Sequence, residues 1–347
     1  MLLEGLYIPL TTPFHTDGRL NLPKLAANVA RYTKTAAAGM IVLGATGEPT
    51  LLSDEETHDV LHVVAQTAEA ENVLIVGVSR DSVRATLALA ELAAEMLYDS
   101  ILVGVPTILA GKDDSRELLL YFQAVADRTP LPVVLLSDAA RRIPIDAIVE
   151  LAAHPHILGM MVNAGSPAEI EAILRRTSDI RREVVVTPVF SAVTARMKAA
   201  ASPLSATFLS ANSLTVNLAS SIVSPPSPPA LRSRTKSVGF QILTGNTQAI
   251  LDGLRAGASG AAPAMAACAP QACYEVLAAW KDNDQPLAEE KQDRLRVASR
   301  LCEAGIGNLK YACELNGYFG GRPRLPQLPP TGEQRAALEQ WMTLLRN

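Results

Sequence analysis

The sequence predicts a (β/α)₈ barrel, a closed ring of eight parallel strands, followed by a helical extension at the carboxyl end. Short apolar runs rich in Val, Ile and Leu alternate with amphipathic stretches of about a dozen residues, which is the pattern of repeated βα units. Eight such runs can be counted, and capping signals mark several helix starts between them. Units of this size and number indicate a closed barrel of roughly 250 residues.

The predicted strands follow one another from residue 6 onward. In order they are LYIPLTTP (6–13), GMIVLG (39–44), VLIVGV (73–78), SILVGVP (100–106), PVVLLSD (132–138), ILGMMVN (157–163), GFQILTG (239–245) and a weaker GASGAAPA (257–264). Capping patterns mark three helix starts, SDEE at 53–56, DSRE at 114–117 and SPAE at 166–169, the last with proline at the favoured first helical position.

Further helices are predicted at 287–316 and 331–346, beyond the eighth strand. We therefore expect a barrel over residues 1–285 and a helical extension over residues 286–347. An open, doubly wound sheet is the alternative fold, but no Gly-rich dinucleotide fingerprint follows any early strand. No cofactor is predicted.

One segment interrupts the alternation, an irregular insertion of low charge at about 190–236. No charged residue occurs between Lys198 and Arg232, and the stretch is dense in Ser, Ala and Thr before a Pro-rich end. A membrane span is not expected because polar residues interrupt it, so we interpret it as a flexible excursion ending in a polyproline-like spacer. EVVVTPVF (183–190) could itself be the seventh strand, but GFQILTG is favoured because it continues directly into a helix and the eighth strand. The excursion then lies at the amino-terminal face of the barrel.

Charge and composition limit the partners. The formal net charge is −4, from 31 basic and 35 acidic residues, so no basic surface is expected to attract nucleic acid or anionic lipid. The amino terminus lacks the features of a secretory signal, and a cytoplasmic location is predicted.

No metal site is predicted. The four cysteines lie in the last quarter of the chain without paired spacing, and buried free thiols are expected. His58 and His62 have the i, i+4 spacing of a metal-binding pair but fall on the outer helix after strand two, where a solvated helix face is the simpler interpretation.

Candidate site residues lie at the carboxyl ends of the strands, where barrels of this kind carry out chemistry. They are Thr11 and Thr12 after strand one, Ala45, Thr46, Gly47 and Glu48 after strand two, Ser79, Arg80 and Asp81 after strand three, Thr107 and Ile108 after strand four, Ser137, Asp138, Arg141 and Arg142 after strand five, Met161, Val162 and Asn163 at the end of strand six, and Gly245 and Asn246 after strand seven.

Several motifs make the sequence similar to a known family. They are LTTPF near the start, GATGEPTLLSDEE (44–56), GVP (104–106), PVVLLSDAAR (132–141), ILGMMVNAG, ILTGNTQAILDGLRAGASG and NLKYACELNGYFGGRPRLP. The chain resembles the family of dihydrodipicolinate synthase and N-acetylneuraminate lyase, pyruvate-dependent class I aldolases on a (β/α)₈ barrel. The resemblance extends over roughly residues 4–340 except the excursion, and it implies a homo-oligomer, a dimer or a tetramer.

The resemblance also implies a reaction. A lysine amine on strand six attacks the ketone of pyruvate to form a Schiff base, which serves as an electron sink. A tyrosine at the end of strand five moves protons, relayed through a threonine of the turn after strand two and, in the synthase, a second tyrosine from a neighbouring subunit. An arginine beyond strand five, or backbone amides of the turn, holds a carboxylate.

This chain departs from that pattern at the reactive positions. The lysine position holds Met161, the two tyrosine positions hold Leu136 and Ile108, and the first threonine of the turn is Ala45. A thioether cannot form an imine, and a leucine cannot move a proton. The features expected to hold an anion remain, namely Thr46 and Gly47 of the turn and Arg141.

The leading hypothesis is a diverged family member that has lost Schiff-base chemistry and at most binds a 2-oxo acid or another small carboxylate. Alternatively, a different reaction uses Glu48, Asp81 or Asp138 as acid, base or metal ligand, or Lys198 supplies an amine if EVVVTPVF is strand seven. A third hypothesis is a structural or regulatory partner of a competent paralogue.

Overall fold

The predicted (β/α)₈ barrel is confirmed by a computed structural model, which describes residues 1–111, 115–163, 165–201 and 232–345. Eight parallel strands close into a ring in the order β1, β2, β3, β4, β5, β6, β9, β10. These strands are β1 Gly5–Pro9, β2 Gly39–Val42, β3 Val73–Gly77, β4 Ser100–Gly104, β5 Val133–Ser137, β6 Ile157–Val162, β9 Gln241–Thr244 and β10 Gly260–Ala261. The two strands outside the ring are β7 Arg182–Val186 and β8 Arg234–Val238.

Helices surround the ring and continue beyond it. They are α1 Leu22–Tyr32, α2 Asp54–Thr67, α3 Val83–Glu95, α4 Ser115–Ala126, α5 Ile145–Ala152, α6 Pro167–Arg176, α7 Ala195–Ala200, α8 Ile250–Arg255, α9 Pro270–Lys281, α10 Gln285–Cys302, α11 Ile306–Leu315 and α12 Gly332–Met342. No helix in the described ranges is long and apolar enough to cross a bilayer.

Two of the predicted helix starts have the expected caps. Ser53 and Glu56 form a reciprocal capping box at the start of α2. The Ser166 side chain accepts from the Glu169 amide at the start of α6, with Pro167 in its first turn. The third predicted cap, at Asp114, lies outside the described residues.

The seventh barrel strand is GFQILTG, as favoured, and the alternative EVVVTPVF is wrong. Strand β6 pairs directly with β9 in parallel, with Gly159 opposite Gln241 and Met161 opposite Leu243. The segment EVVVTPVF instead contributes β7, which pairs with β8 in a separate antiparallel ribbon. Residues 202–231, which include the Pro-rich end of the predicted excursion, lie outside the described residues.

The ribbon lies at the amino-terminal face of the barrel. Its inner side packs Val184, Val186 and Val238 against Leu2. Just beyond it, the Thr194 hydroxyl donates to the Ala70 carbonyl and the Ala195 amide donates to the Asp99 carboxylate. Ala70 lies just before β3 and Asp99 just before β4, so both acceptors are at the amino-terminal face. Helix α7 is therefore anchored at the end of the barrel opposite to the candidate site.

The barrel interior is filled by one apolar cluster. Its buried members come from alternate positions of the strands and include Tyr7, Ile75, Val134, Met161 and Leu243. A second and larger cluster fills the space between the strands and the surrounding helices. The interior is therefore a packed core, and ligand access is confined to its ends.

The helical stretch predicted at 287–316 is divided. Helix α10 ends at Cys302 and α11 begins at Ile306, so Glu303, Ala304 and Gly305 form a turn. Glycine at position 305 has low helix propensity and favours the break at this point. The turn directs the chain back over the carboxyl end of the barrel.

Replacement of Gly159 by alanine tests the pairing that closes the barrel. A Cβ at position 159 would lie 2.1 Å from the Gln241 carbonyl oxygen, so the strands would have to separate. We expect Gly159→Ala to lower the free energy of unfolding by about 1–3 kcal/mol, measured by urea denaturation. Gly332→Ala is the control, because nothing lies within 4 Å of a Cβ there. Equal stability of the two variants would contradict the pairing.

Candidate active site

The candidate site is a cavity of ≈ 210 Å³ at the carboxyl end of the barrel, here called the mouth cavity. Apolar side chains form most of its wall, with Met161, Leu136, Leu102 and Ile41 at its base. Its polar side chains are Thr46, Asn163 and Glu303. The structure thus brings together candidate residues from strands two, five and six.

Met161 occupies the centre of this wall. It lies opposite Leu136 on β5 and Leu243 on β9, and its side chain is 5% exposed. The neighbouring side chains are apolar members of the interior core. Strand β6 therefore presents a thioether to the cavity.

The turn after β2 is held firmly to the end of β1. The Thr46 hydroxyl donates to the Leu10 carbonyl at 3.0 Å, and the Thr12 hydroxyl donates to the Gly47 carbonyl at 2.7 Å. Glu48 has a φ of 52°, a left-handed conformation that favours glycine. These bonds fix the position of the turn at the cavity wall.

Glu48, a predicted acid or base, is committed to a buried ion pair with Lys310 of α11. The second carboxylate oxygen of Glu48 accepts from the Arg324 amide at 3.1 Å, and Lys310 donates to the Arg322 carbonyl at 3.1 Å. Burial lowers the pKa of Lys310, and the Glu48 carboxylate opposes that shift. Glu48 fastens the carboxyl-terminal segment to the turn and does not line the mouth cavity.

Charged candidates collect in a neighbouring cavity of ≈ 370 Å³ on the side of strands two to five. Asp81 accepts from the Thr107 amide at 2.5 Å. Asp138 accepts from the Arg141 amide at 2.8 Å, and an oxygen of its carboxylate lies 3.4 Å from the Arg141 guanidinium. Both aspartates therefore organise local turns, and Arg141 lines this neighbouring cavity rather than the mouth cavity.

Two further candidates lie elsewhere. Ile108 is 61% exposed on the turn after β4 and is not part of the mouth cavity. Lys198 was predicted as an amine only if EVVVTPVF were strand seven, and that expectation is wrong. Lys198 belongs to α7 at the amino-terminal face, because the chain runs from β6 into the ribbon before it enters the barrel again.

No metal centre is formed by the described residues. His58 and His62 stack with ring centroids 6.0 Å apart on the exposed face of α2. In the ranges that the structure describes, no three His, Cys, Asp or Glu side chains are grouped to hold a metal ion.

Glu303 is the residue of the mouth cavity that sequence reasoning missed. One oxygen of its carboxyl accepts from the Thr247 hydroxyl and, at 3.1 Å, from the Met265 amide. The side chain is accessible from the cavity, yet the surrounding protein desolvates its carboxyl and raises its pKa. The break between α10 and α11 brings it there, and Gly305 was the signal in the sequence that could have indicated that break.

The sequence model described as the Dihydrodipicolinate synthetase family matches residues 2–200. The chain belongs to this family. Over 341 residues it is 26% identical to a 4-hydroxy-tetrahydrodipicolinate synthase of Gluconobacter oxydans, covering 97% of this chain and 94% of that protein.

Solved structures of the family share the fold. Dihydrodipicolinate synthase DapA-2 of Bacillus anthracis superposes with a TM-score of 0.78 at 20% identity, and 100% of each chain is covered. N-acetylneuraminate lyase of Mycoplasma synoviae superposes with a TM-score of 0.74 at 18% identity, covering 99% of this chain and 98% of the other.

The buried pair is expected to be structural. Glu48→Gln leaves the Lys310 ammonium buried without a counter-charge, so we expect it to lower the free energy of unfolding by about 3–5 kcal/mol. The double replacement Glu48→Gln, Lys310→Met should recover much of that loss, because the uncompensated charge is gone. Glu290→Gln, which breaks an exposed pair with Arg294, should cost only about 0.3–0.5 kcal/mol. Urea denaturation of all variants measures these differences, and an effect of Glu48→Gln no larger than that of Glu290→Gln would contradict the assignment.

Proposed function

We propose that this member of the dihydrodipicolinate synthetase family does not run the Schiff-base aldolase cycle and binds a small carboxylic acid at the barrel mouth. The observation that carries the proposal is the wall of the mouth cavity. The cavity is formed, but Met161 stands on β6 where the family resemblance implies an amine, and no lysine is among the described residues that line it.

The chemistry of the cycle requires groups that the cavity wall lacks. Imine formation begins with attack of a neutral amine on the ketone carbon, and water must leave before the electron sink exists. The thioether of Met161 has no proton to lose and cannot form the C=N bond. Leu136 replaces the tyrosine that the resemblance implies for proton transfer, and no tyrosine lines the cavity in the described residues. Without the amine the cavity cannot form the imine, and without the tyrosine it lacks the group that would transfer the proton.

Carboxylate binding is supported by the turn after β2. The amides of Gly47 and Glu48 close the turn onto the carbonyls of Gly44 and Ala45. The amides of Ala45 and Thr46 have no acceptor in the described part of the chain, and both residues line the mouth cavity. Backbone amides presented in this way are suitable donors to a carboxylate.

Borohydride trapping with pyruvate, followed by measurement of the intact-protein mass, tests the loss of Schiff-base chemistry. Thermal-shift measurements with pyruvate and a panel of small carboxylic acids test the binding proposal. We expect no mass increase and a ligand-dependent rise in the melting temperature with at least one acid. A family member that has the strand-six lysine, treated in parallel, is the positive control. A covalent adduct on any lysine of this chain would overturn the loss of Schiff-base chemistry, and an absence of thermal shifts would overturn the binding proposal.

A further inference from the structure

Among the described residues that line the mouth cavity, Glu303 carries the one ionisable group, and none has a cationic side chain. Arg141 lies outside it, in the neighbouring cavity beside Asp138. Lys310 is also excluded, because its side chain is fully buried in the pair with Glu48. Glu303 is therefore the ionisable side chain that a ligand in the mouth cavity meets.

Glu303 has capacity to accept a further hydrogen bond. The contacts from Thr247 and Met265 both go to one oxygen of its carboxyl. The other oxygen has no donor in the described part of the chain. Because these contacts hold the side chain in place, the free oxygen has a fixed position at the cavity wall.

Asn163 also lines the cavity, but its Oδ1 atom is out of reach of a ligand there. That atom is fully buried and has no hydrogen-bond partner within the described ranges. A Cβ at position 245 would lie 2.1 Å from it, so Gly245 makes the space in which the amide rests. Recognition of a donor group on the ligand therefore depends on the unpartnered oxygen of Glu303.

We propose that the mouth cavity selects a small carboxylic acid that carries a hydroxyl or ammonium group over the corresponding 2-oxo acid, with Glu303 accepting from that group. This inference rests on the proposed function and names the ligand class of the same site. The carboxylate of the ligand meets the amides of the turn after β2, and its donor group meets Glu303.

The selectivity follows from the direction of the hydrogen bonds. A ketone oxygen offers only lone pairs, which repel an ionised carboxylate, whereas a hydroxyl or ammonium group donates to it. Hydrogen bonds to a charged partner are the strong ones, so we expect preference of about tenfold or more. Tighter binding of the 2-oxo acid would therefore contradict the proposal.

Pyruvate, L-lactate and L-alanine provide a matched test, because they share a three-carbon skeleton and differ at the second carbon. Isothermal titration calorimetry, with all measurements at the same neutral pH, should show that lactate or alanine binds at least about tenfold more tightly than pyruvate. In Glu303→Gln the ratio should fall towards one, since the amide can either donate or accept. Glu171→Gln, on the exposed face of α6, is the control and should keep the ratio of the parent. Circular dichroism of each variant confirms that the fold is retained.

The outcomes separate the two proposals. Pyruvate binding as tightly as lactate and alanine, or a preference unchanged in Glu303→Gln, would overturn the ligand class and leave carboxylate binding intact. No binding of any of the three acids would overturn both.

Discussion

The pairing of β6 with β9 is the constraint on which the site depends. These strands are separated in the chain by the ribbon and by the segment that connects its two strands, yet their backbones pair directly and Gly159 permits the close approach to Gln241. The pairing sets the register that places Met161 between Leu136 and Leu243 at the base of the mouth cavity. The ribbon lies at the amino-terminal face, opposite to the end where the site lies.

The carboxyl-terminal helices complete the mouth in two ways. Lys310 of α11 pairs with Glu48 and so ties the extension to the turn that contributes Ala45 and Thr46. The turn between α10 and α11 brings Glu303 to the cavity. The same extension therefore stabilises one wall and supplies the ionisable side chain of the site.

Local pattern was sufficient to predict the fold and part of the mouth. Strand seven was predictable because GFQILTG runs directly into a helix and the last strand. Met161 was predictable from its position at the end of a strand, whereas Leu136 was named only through the family resemblance. Glu303 was not predictable, since its approach to the cavity depends on a helix break and on packing between distant segments. The Glu48–Lys310 pair was missed for the same reason, because neither residue has a sequence neighbour that signals the other. Lys198 was misplaced only on the alternative strand assignment, which the ribbon excludes.

The most direct test of the central claim is to restore the missing amine by Met161→Lys and to map pyruvate adducts after borohydride reduction. The claim predicts an adduct at residue 161 of the variant and none on the parent chain, because the apolar cavity favours the neutral, nucleophilic form of the introduced amine. An adduct on a native lysine of the parent would contradict the claim. A folded variant that forms no adduct would contradict the assignment of Met161 to the position of the reacting amine.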